Sequence, residues 1–273
     1  MKKCLSIAGS DCSGGAGIQA DLKAFSANRT FGMSVITSVV AENTTRVLSV
    51  FNVLTEEIKK QIDAVFEDIE VDAVKLGMLP TAEIISAVAD KLCQYRPKII
   101  VCDPVMVATS GDALSEGGTV TTMKEKLFPM IDLLTPNIPE AEAIAGVEIH
   151  NEQDMETAAK LIMDMGVKNV LVKGGHLTGD AVDILYTETG SHKLSSKRVD
   201  SPNTHGTGCT LSSAITANLA NGMDMLTAVR SAKDYITEAI ERSFTVGKGH
   251  SPVNHFYDYY AMKAMKVTKG NQI

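Results

Sequence analysis

The sequence predicts an α/β protein with a mainly parallel central sheet, helices on both faces and an antiparallel hairpin at one edge. Three observations carry this expectation. Short β-branched runs alternate with longer amphipathic segments along most of the chain. The strand-like runs are apolar throughout rather than alternating, as strands covered on both faces are. After Gly174-Gly175 two strand-like runs follow one another directly around a Thr189-Gly190 turn, the pattern of a hairpin.

Taken in order, the expected first strand covers residues 4–8 and the helix after it 18–27, opened by a glycine-rich turn. The β-branched run 33–41 is a second strand and 55–66 an amphipathic helix. The same alternation gives a strand at 73–76, a helix at 81–92, a strand at 99–102 and a helix at 119–128. It continues with a strand at 133–135, helical patterns at 141–145 and 154–165, and a strand at 170–172. The hairpin is expected at 181–186 and 192–199, then helices at 210–220 and 226–244. No Pro/Ser-rich linker, repeat or low-complexity run divides the chain. One domain is expected over residues 1–261, with 262–273 a polar C-terminal tail.

Composition sets the class. In 273 residues, 44% are hydrophobic and 22% charged, ordinary globular values that exclude disorder. Lys+Arg 26 against Asp+Glu 33 gives a net charge of −7, which argues against nucleic acid or an anionic membrane as partner. The five cysteines form no C-x-x-C pair, so neither a disulfide framework nor a zinc cluster is read from them. Lys2-Lys3 followed by Cys4–Ala8 imitates a secretory start, but the apolar stretch stops at Gly9-Ser10-Asp11, too short for a signal or a span. A cytoplasmic protein is expected.

In open α/β sheets ligands collect at the carboxyl ends of the strands. Gly9-Ser10-Asp11, Glu42-Asn43-Thr44, Gly77-Met78, Asp103-Pro104, Pro136-Asn137 and Gly174-Gly175-His176 all fall there. Ser13–Gly17 is either a tight turn or a place where backbone N–H groups approach a ligand. Asp21 lies a turn into the following helix, facing either the rim or water. No G-x-x-x-x-G-K-[ST] is present. The best anion cradle is Asn203-Thr204-His205-Gly206-Thr207-Gly208-Cys209, where glycines strip side chains from the start of a helix. Thiol pKa values fall at helix N-termini, so Cys209 is expected to be the reactive cysteine. Asp103 and Glu140, at two neighbouring strand ends, suit Mg²⁺ completed by water and phosphate. Asn137 with Glu140 three residues on also reads as a capping box. Lys173 either reaches a phosphate or ends an edge strand.

These segments together resemble the ribokinase-like superfamily, and within it the hydroxymethylpyrimidine/phosphomethylpyrimidine kinases of thiamine biosynthesis. The matching stretches are residues 8–21, 32–37, 75–79, 103–106, 135–141, 173–176, 203–212, 247–249 and 252–255. They run in order over nearly the whole chain. The resemblance implies ATP-dependent phosphorylation of 4-amino-5-hydroxymethyl-2-methylpyrimidine, then of its monophosphate to the diphosphate. Carried over by motif, Gly9, Asp21, Glu42 and Met78 would contact the pyrimidine, and Asp103 and Glu140 would organise Mg²⁺. Asn137, Lys173 and Thr207 would serve the nucleotide. Gly206, Thr207 and Gly208 would form the anion hole, with Cys209 as base. The loop 107–115 would be a flap over the phosphates, and a homodimer is the family analogy. No fused thiamine-phosphate synthase segment is expected.

One position departs from the pattern, because pyrimidine kinases often carry glutamine where this chain has Glu42. A glutamine amide can accept from the ring amino group and donate to the ring nitrogen, whereas ionised glutamate can only accept. Either Glu42 is protonated, or the pyrimidine takes up the proton, or a neighbour supplies the second hydrogen bond, or Glu42 turns away. Two rival functions share the pattern: a pyridoxal or pyridoxine kinase on the same scaffold, and a non-catalytic ligand sensor.

Overall fold

A computed structural model of the protein describes residues 1–106, 118–175 and 179–262. The expected flap at 107–115, His176 and the tail from residue 263 lie outside the described residues. Nine strands form one sheet in the order β3-β2-β1-β4-β5-β6-β7-β8-β9. They are β1 (Lys3–Asp11), β2 (Phe31–Asn43), β3 (Arg46–Asn52), β4 (Ala73–Leu76), β5 (Ile100–Cys102), β6 (Leu133–Leu134), β7 (Val170–Lys173), β8 (Ala181–Thr187) and β9 (Gly190–Ser196). The helices are α1 (Gly17–Ala27), α2 (Thr55–Phe66), α3 (Ala82–Tyr95), α4 (Thr119–Lys126), α5 (Ile138–Ala145), α6 (Glu152–Asp164), α7 (Thr207–Ala220) and α8 (Met225–Glu241).

The six strands from β2 to β7 run parallel. Successive side chains point to opposite faces, and the two faces are covered by different helices. Leu5, Ile7, Val74, Leu76, Ile100, Cys102, Val170 and Val172 join α2 to α6 in one core. Val101, Leu133, Leu171 and Leu185 pack instead on α7 and α8, while Cys4 and Ala73 meet Phe25 of α1 and Ala217 of α7. Burial on both faces is why these strands read as unbroken apolar runs.

The expectation of one antiparallel edge is half of what is observed. β8 and β9 form it at one end, with Glu188-Thr189 as the turn, one residue earlier than expected. At the other end β3 pairs antiparallel to β2, a strand the sequence reading left out. Leu48 and Phe51 of β3 are exposed, so no burial pattern marks it. α7 also begins at Thr207 rather than residue 210, which puts Thr207, Gly208 and Cys209 in its first turn. No described helix is long and apolar enough to cross a membrane.

The chain reverses its direction of growth across the sheet at β1, which lies between β2 and β4. A doubly wound sheet opens a crevice at such a point. The register of β1 on β2 also slips between Ala8 and Ser10, a bulge that re-aims the chain at Gly9.

Candidate active site

A cavity of about 840 Å³ runs along the carboxyl ends of the strands, from β2 to β9. Gly9, Glu42, Met78 and His205 line one end. Asp103, Asn137, Glu140, Lys173 and Gly206–Cys209 line the middle. The far end is made by Ser196–Val199 after β9 and by Lys233, Ile236, Thr237 and Ile240 of α8. The sheet order imposes this sequence of linings. The volume suits a nucleotide with a small ring beside it.

In the middle, the first turn of α7 presents N–H groups that have no intrahelical acceptor. Gly206, which precedes it, has φ +74, and a Cβ there would strike the Gly15 carbonyl oxygen. Glycine is therefore demanded twice, by conformation and by space. Gly206→Ala should cost at least about 1–2 kcal/mol for the left-handed backbone alone. It should also displace the α7 N-terminus, so a lower Tm with weaker ATP binding is expected, by thermal melting and calorimetry. Unchanged nucleotide affinity would show that the loop does not hold the phosphates. A Cβ on Gly208 would lie 3.2 Å from Lys173 Nζ and 3.4 Å from Asp103 Oδ2, so the backbone of α7 closes directly on that ion pair.

Lys173 Nζ donates to Asp103 Oδ1 at 2.7 Å, and Thr135 Oγ1 donates to the same oxygen at 3.1 Å. Burial works to lower the Lys173 pKa, but Asp103 and Glu140 outweigh it and hold the lysine charged. Asn137 and Glu140 form the expected capping box of α5: Asn137 Oδ1 accepts the Glu140 N–H at 2.9 Å and Glu140 Oε2 accepts the Asn137 N–H at 2.8 Å. Burial, opposed by Lys173 and reinforced by Asp103, pushes the Glu140 carboxyl up to about 7. Two carboxyls thus share one lysine, an excess of negative charge that a cation would relieve. Asp103 and Glu140 fit Mg²⁺, which takes few carboxylates and keeps waters and phosphate oxygens.

At the end of the cavity near β2, Met78 lies over Gly9, whose added Cβ would come 3.4 Å from the Met78 sulfur. Glu42 is half-buried at the end of β2. Beside it, Asp11 and His205 form a buried ion pair, Nε2 to Oδ2 2.8 Å. Sequence reasoning missed this pair, whose members stand 194 residues apart.

Two expectations need correction. Asp21 does not line the cavity: it is fully buried beneath it, paired with the equally buried Lys75 at 2.9 Å and accepting from Ser6 and Ser213. All its oxygens face protein donors. Cys209 does line the cavity, but the thiol pKa does not fall. Burial pushes it up to about 11, with Lys75 pulling against and Asp21 and Asp103 adding to the rise. Desolvation outweighs the helix terminus. The remaining candidates, Gly9, Glu42, Met78, Asp103, Asn137, Glu140, Lys173, Gly206, Thr207 and Gly208, are brought to one cavity.

The far end was not foreseen. Lys233 Nζ pairs with Asp183 Oδ2 at 2.6 Å, and Asp183 also accepts the Gly174 N–H at 3.0 Å, tying α8 to β8 and to the glycine after β7. An amphipathic helix gives no sequence sign that part of it lines a cavity.

Residues 11–254 match the family profile described as phosphomethylpyrimidine kinase. A hydroxymethylpyrimidine/phosphomethylpyrimidine kinase of Haemophilus influenzae is 43% identical over 94% of this chain and 97% of its own length. A thiamine biosynthesis bifunctional protein, ThiED of Geobacter sulfurreducens, is 50% identical over 92% of this chain, which spans about half (51%) of that protein. Among solved structures, an ADP complex of Bacillus subtilis pyridoxal kinase superimposes with a TM-score of 0.89 at 40% identity, covering 95% of this chain and 99% of the other.

Proposed function

The chain belongs to the phosphomethylpyrimidine kinase family, and on that premise we propose that it phosphorylates 4-amino-5-hydroxymethyl-2-methylpyrimidine with ATP, and then the monophosphate to the diphosphate, in the cytoplasm. The observation that carries this reading is one cavity with a ring-sized end at Gly9, Glu42 and Met78 and a charged middle, where Asp103, Glu140 and Lys173 face the first turn of α7. In the first step the hydroxymethyl oxygen bonds to the γ-phosphorus, the bond from that phosphorus to the ADP oxygen breaks, and the hydroxyl proton leaves to a base.

Each residue has a role in that transfer. Lys173 and the N–H groups at Gly208 and Cys209 stabilise charge on the moving phosphoryl group, a preorganised set of donors where negative charge develops. Asp103 and Glu140 would hold Mg²⁺, which supplies electrostatic relief to the phosphate oxygens. Asn137 fixes Glu140 through the capping box. Gly9 and Met78 shape the ring end, and Cys209 is the proton acceptor. The buried Asp21 supports the floor rather than touching the ring.

The pyridoxal kinase likeness in fold makes ring choice the discriminating measurement. ATP consumption is followed with the pyrimidine alcohol, with pyridoxal, with pyridoxine and with no ring substrate, and products are read by ³¹P NMR. Two ATP consumed per pyrimidine, with monophosphate forming before diphosphate, and loss of turnover in EDTA, is the expected result. Turnover of pyridoxal alone would make the chain a vitamer kinase. Binding without turnover of either ring would make it a sensor.

A further inference from the structure

The carboxylates of Asp11 and Glu42 and the ring of His205 place their polar atoms all within 4.8 Å of one another. Asp11 is the fixed member. Its oxygens accept from the N–H groups of Ser13 at 2.7 Å, Gly15 at 2.9 Å and Ala16 at 2.7 Å, and from His205 Nε2 at 2.8 Å. Four donors leave Asp11 little capacity for a metal ion or for a proton of its own. Burial alone would raise its pKa, but His205, Ser13 and Ala16 hold it well below the usual carboxylate range. His205 is driven the other way: burial lowers its pKa, and Asp11 and Glu42 outweigh that and raise it above its ordinary value.

Among the described residues His205 is the one cation acting on Glu42, and it is shared. From β1 it faces Asp11, and from the loop before α7 it faces His205, whose charge is committed to Asp11. From β3 the residue opposite is the uncharged Val47. Cys12 Sγ donates to the Glu42 carbonyl, not its carboxyl, at 3.1 Å, and Lys23 of α1 places its Nζ on the Gly14 carbonyl. Burial first, the Asp11 charge second and a hydrogen bond to the Asp11 carboxylate push the Glu42 carboxyl up to about 7, with His205 pulling back.

We propose that Glu42 meets the aminopyrimidine edge as a neutral carboxylic acid, kept neutral by its burial beside the Asp11 carboxylate, with His205 limiting the effect. The inference rests on the kinase reading above and names its ring-selecting group. A neutral carboxyl offers one acceptor and one O–H donor. The edge of a 4-aminopyrimidine offers an amino donor beside a ring-nitrogen acceptor, so two parallel hydrogen bonds form once the Glu42 O–H turns from Asp11 to the ring. An ionised carboxylate would set a lone pair against the ring nitrogen instead. The substrate class follows: rings carrying an amino group next to an unprotonated nitrogen.

Calorimetry of the full chain with the pyrimidine alcohol, without ATP, from pH 5.5 to 9 tests this. The proton belongs to the low-pH form, so Kd should be flat below about pH 7 and rise about tenfold per unit above it, with proton uptake on binding. The ligand titrates too, so profiles are read as differences from Glu42→Gln, which should bind tightly and lose the rise. His205→Gln removes a cation and should move the break to higher pH; Asp11→Asn removes an anion and should move it lower. The ultraviolet spectrum of bound pyrimidine should remain that of the neutral ring. A cationic ring spectrum, a Glu42→Gln that loses affinity tenfold at pH 6.5, or a pH-independent difference overturns the inference and leaves the kinase reading standing. Failure to bind any aminopyrimidine at any pH overturns both.

Discussion

Cys209→Ala lowers kcat for the first phosphorylation by about 10²–10⁴-fold, the usual worth of a general base, with ATP binding largely kept. Cys209 stands in the first turn of α7 within the cavity, beside the backbone of Gly206 and Gly208. Its thiol, pushed up to about 11 by burial, is protonated at neutral pH. The thiolate fraction therefore grows with pH, and kcat for the alcohol should rise about tenfold per unit between about pH 6 and 9, a slope that Cys209→Ala removes. The second phosphorylation starts from a phosphomonoester already anionic near neutral pH, so it should depend less on both pH and Cys209. The same burial reverses an expectation about reactivity: iodoacetamide should modify the exposed Cys12 and Cys93 before Cys209. Stopped-flow phosphorylation across pH, with mass spectrometry of the alkylated chain, checks these outcomes. Normal turnover by Cys209→Ala removes the thiol from the proton path.

Most of the rim was legible because each of its residues follows a strand whose two-sided burial writes an apolar run. Residues 73–76 were read with the observed bounds for that reason, and 55–66 because that helix buries Ile58 and Ile62 on one face only. β3 escaped because Leu48 and Phe51 face outward, leaving no contrast between its faces, although Asn43-Thr44-Thr45 between two β-branched runs was a usable turn signal. The site failed to be read where its determinants are long-range. Asp21 could be read only as facing the rim or water, because Lys75, 54 positions on, and Ser213, 192 positions on, are what close around it. The local rule that a helix terminus acidifies a thiol was sound for Cys209 but smaller than a desolvation that only packing reveals. His205 had the right address and no visible partner, since Asp11 reaches it across the sheet from the other end of the chain.

The Lys75–Asp21 pair carries the largest stability effect in the molecule's site floor. Both side chains are fully excluded from solvent, with Nζ 2.9 and 3.0 Å from the two Asp21 oxygens. Burial works to lower the Lys75 pKa, yet Asp21 first, then Cys209 and Asp103, raise it well above its ordinary range. Removing one partner of a buried pair strands the other charge, at a cost of about 3–5 kcal/mol. Lys75→Met keeps the volume and leaves Asp21 uncompensated, so Tm should fall by about 6–20 °C for a chain of this size. Lys75→Met combined with Asp21→Asn removes both charges while an amide oxygen still accepts from Ser6 and Ser213, and should recover most of the loss. The comparison is made by thermal and urea unfolding of the wild type, the single variant and the double variant. A double variant no more stable than Lys75→Met would mean that packing, and not a stranded charge, sets the penalty. Where the double variant does fold well, its kcat reads the net effect of the pair on Cys209: Lys75 lowers the thiol pKa and Asp21 raises it by less, so the rising limb of the alcohol profile should move modestly to higher pH.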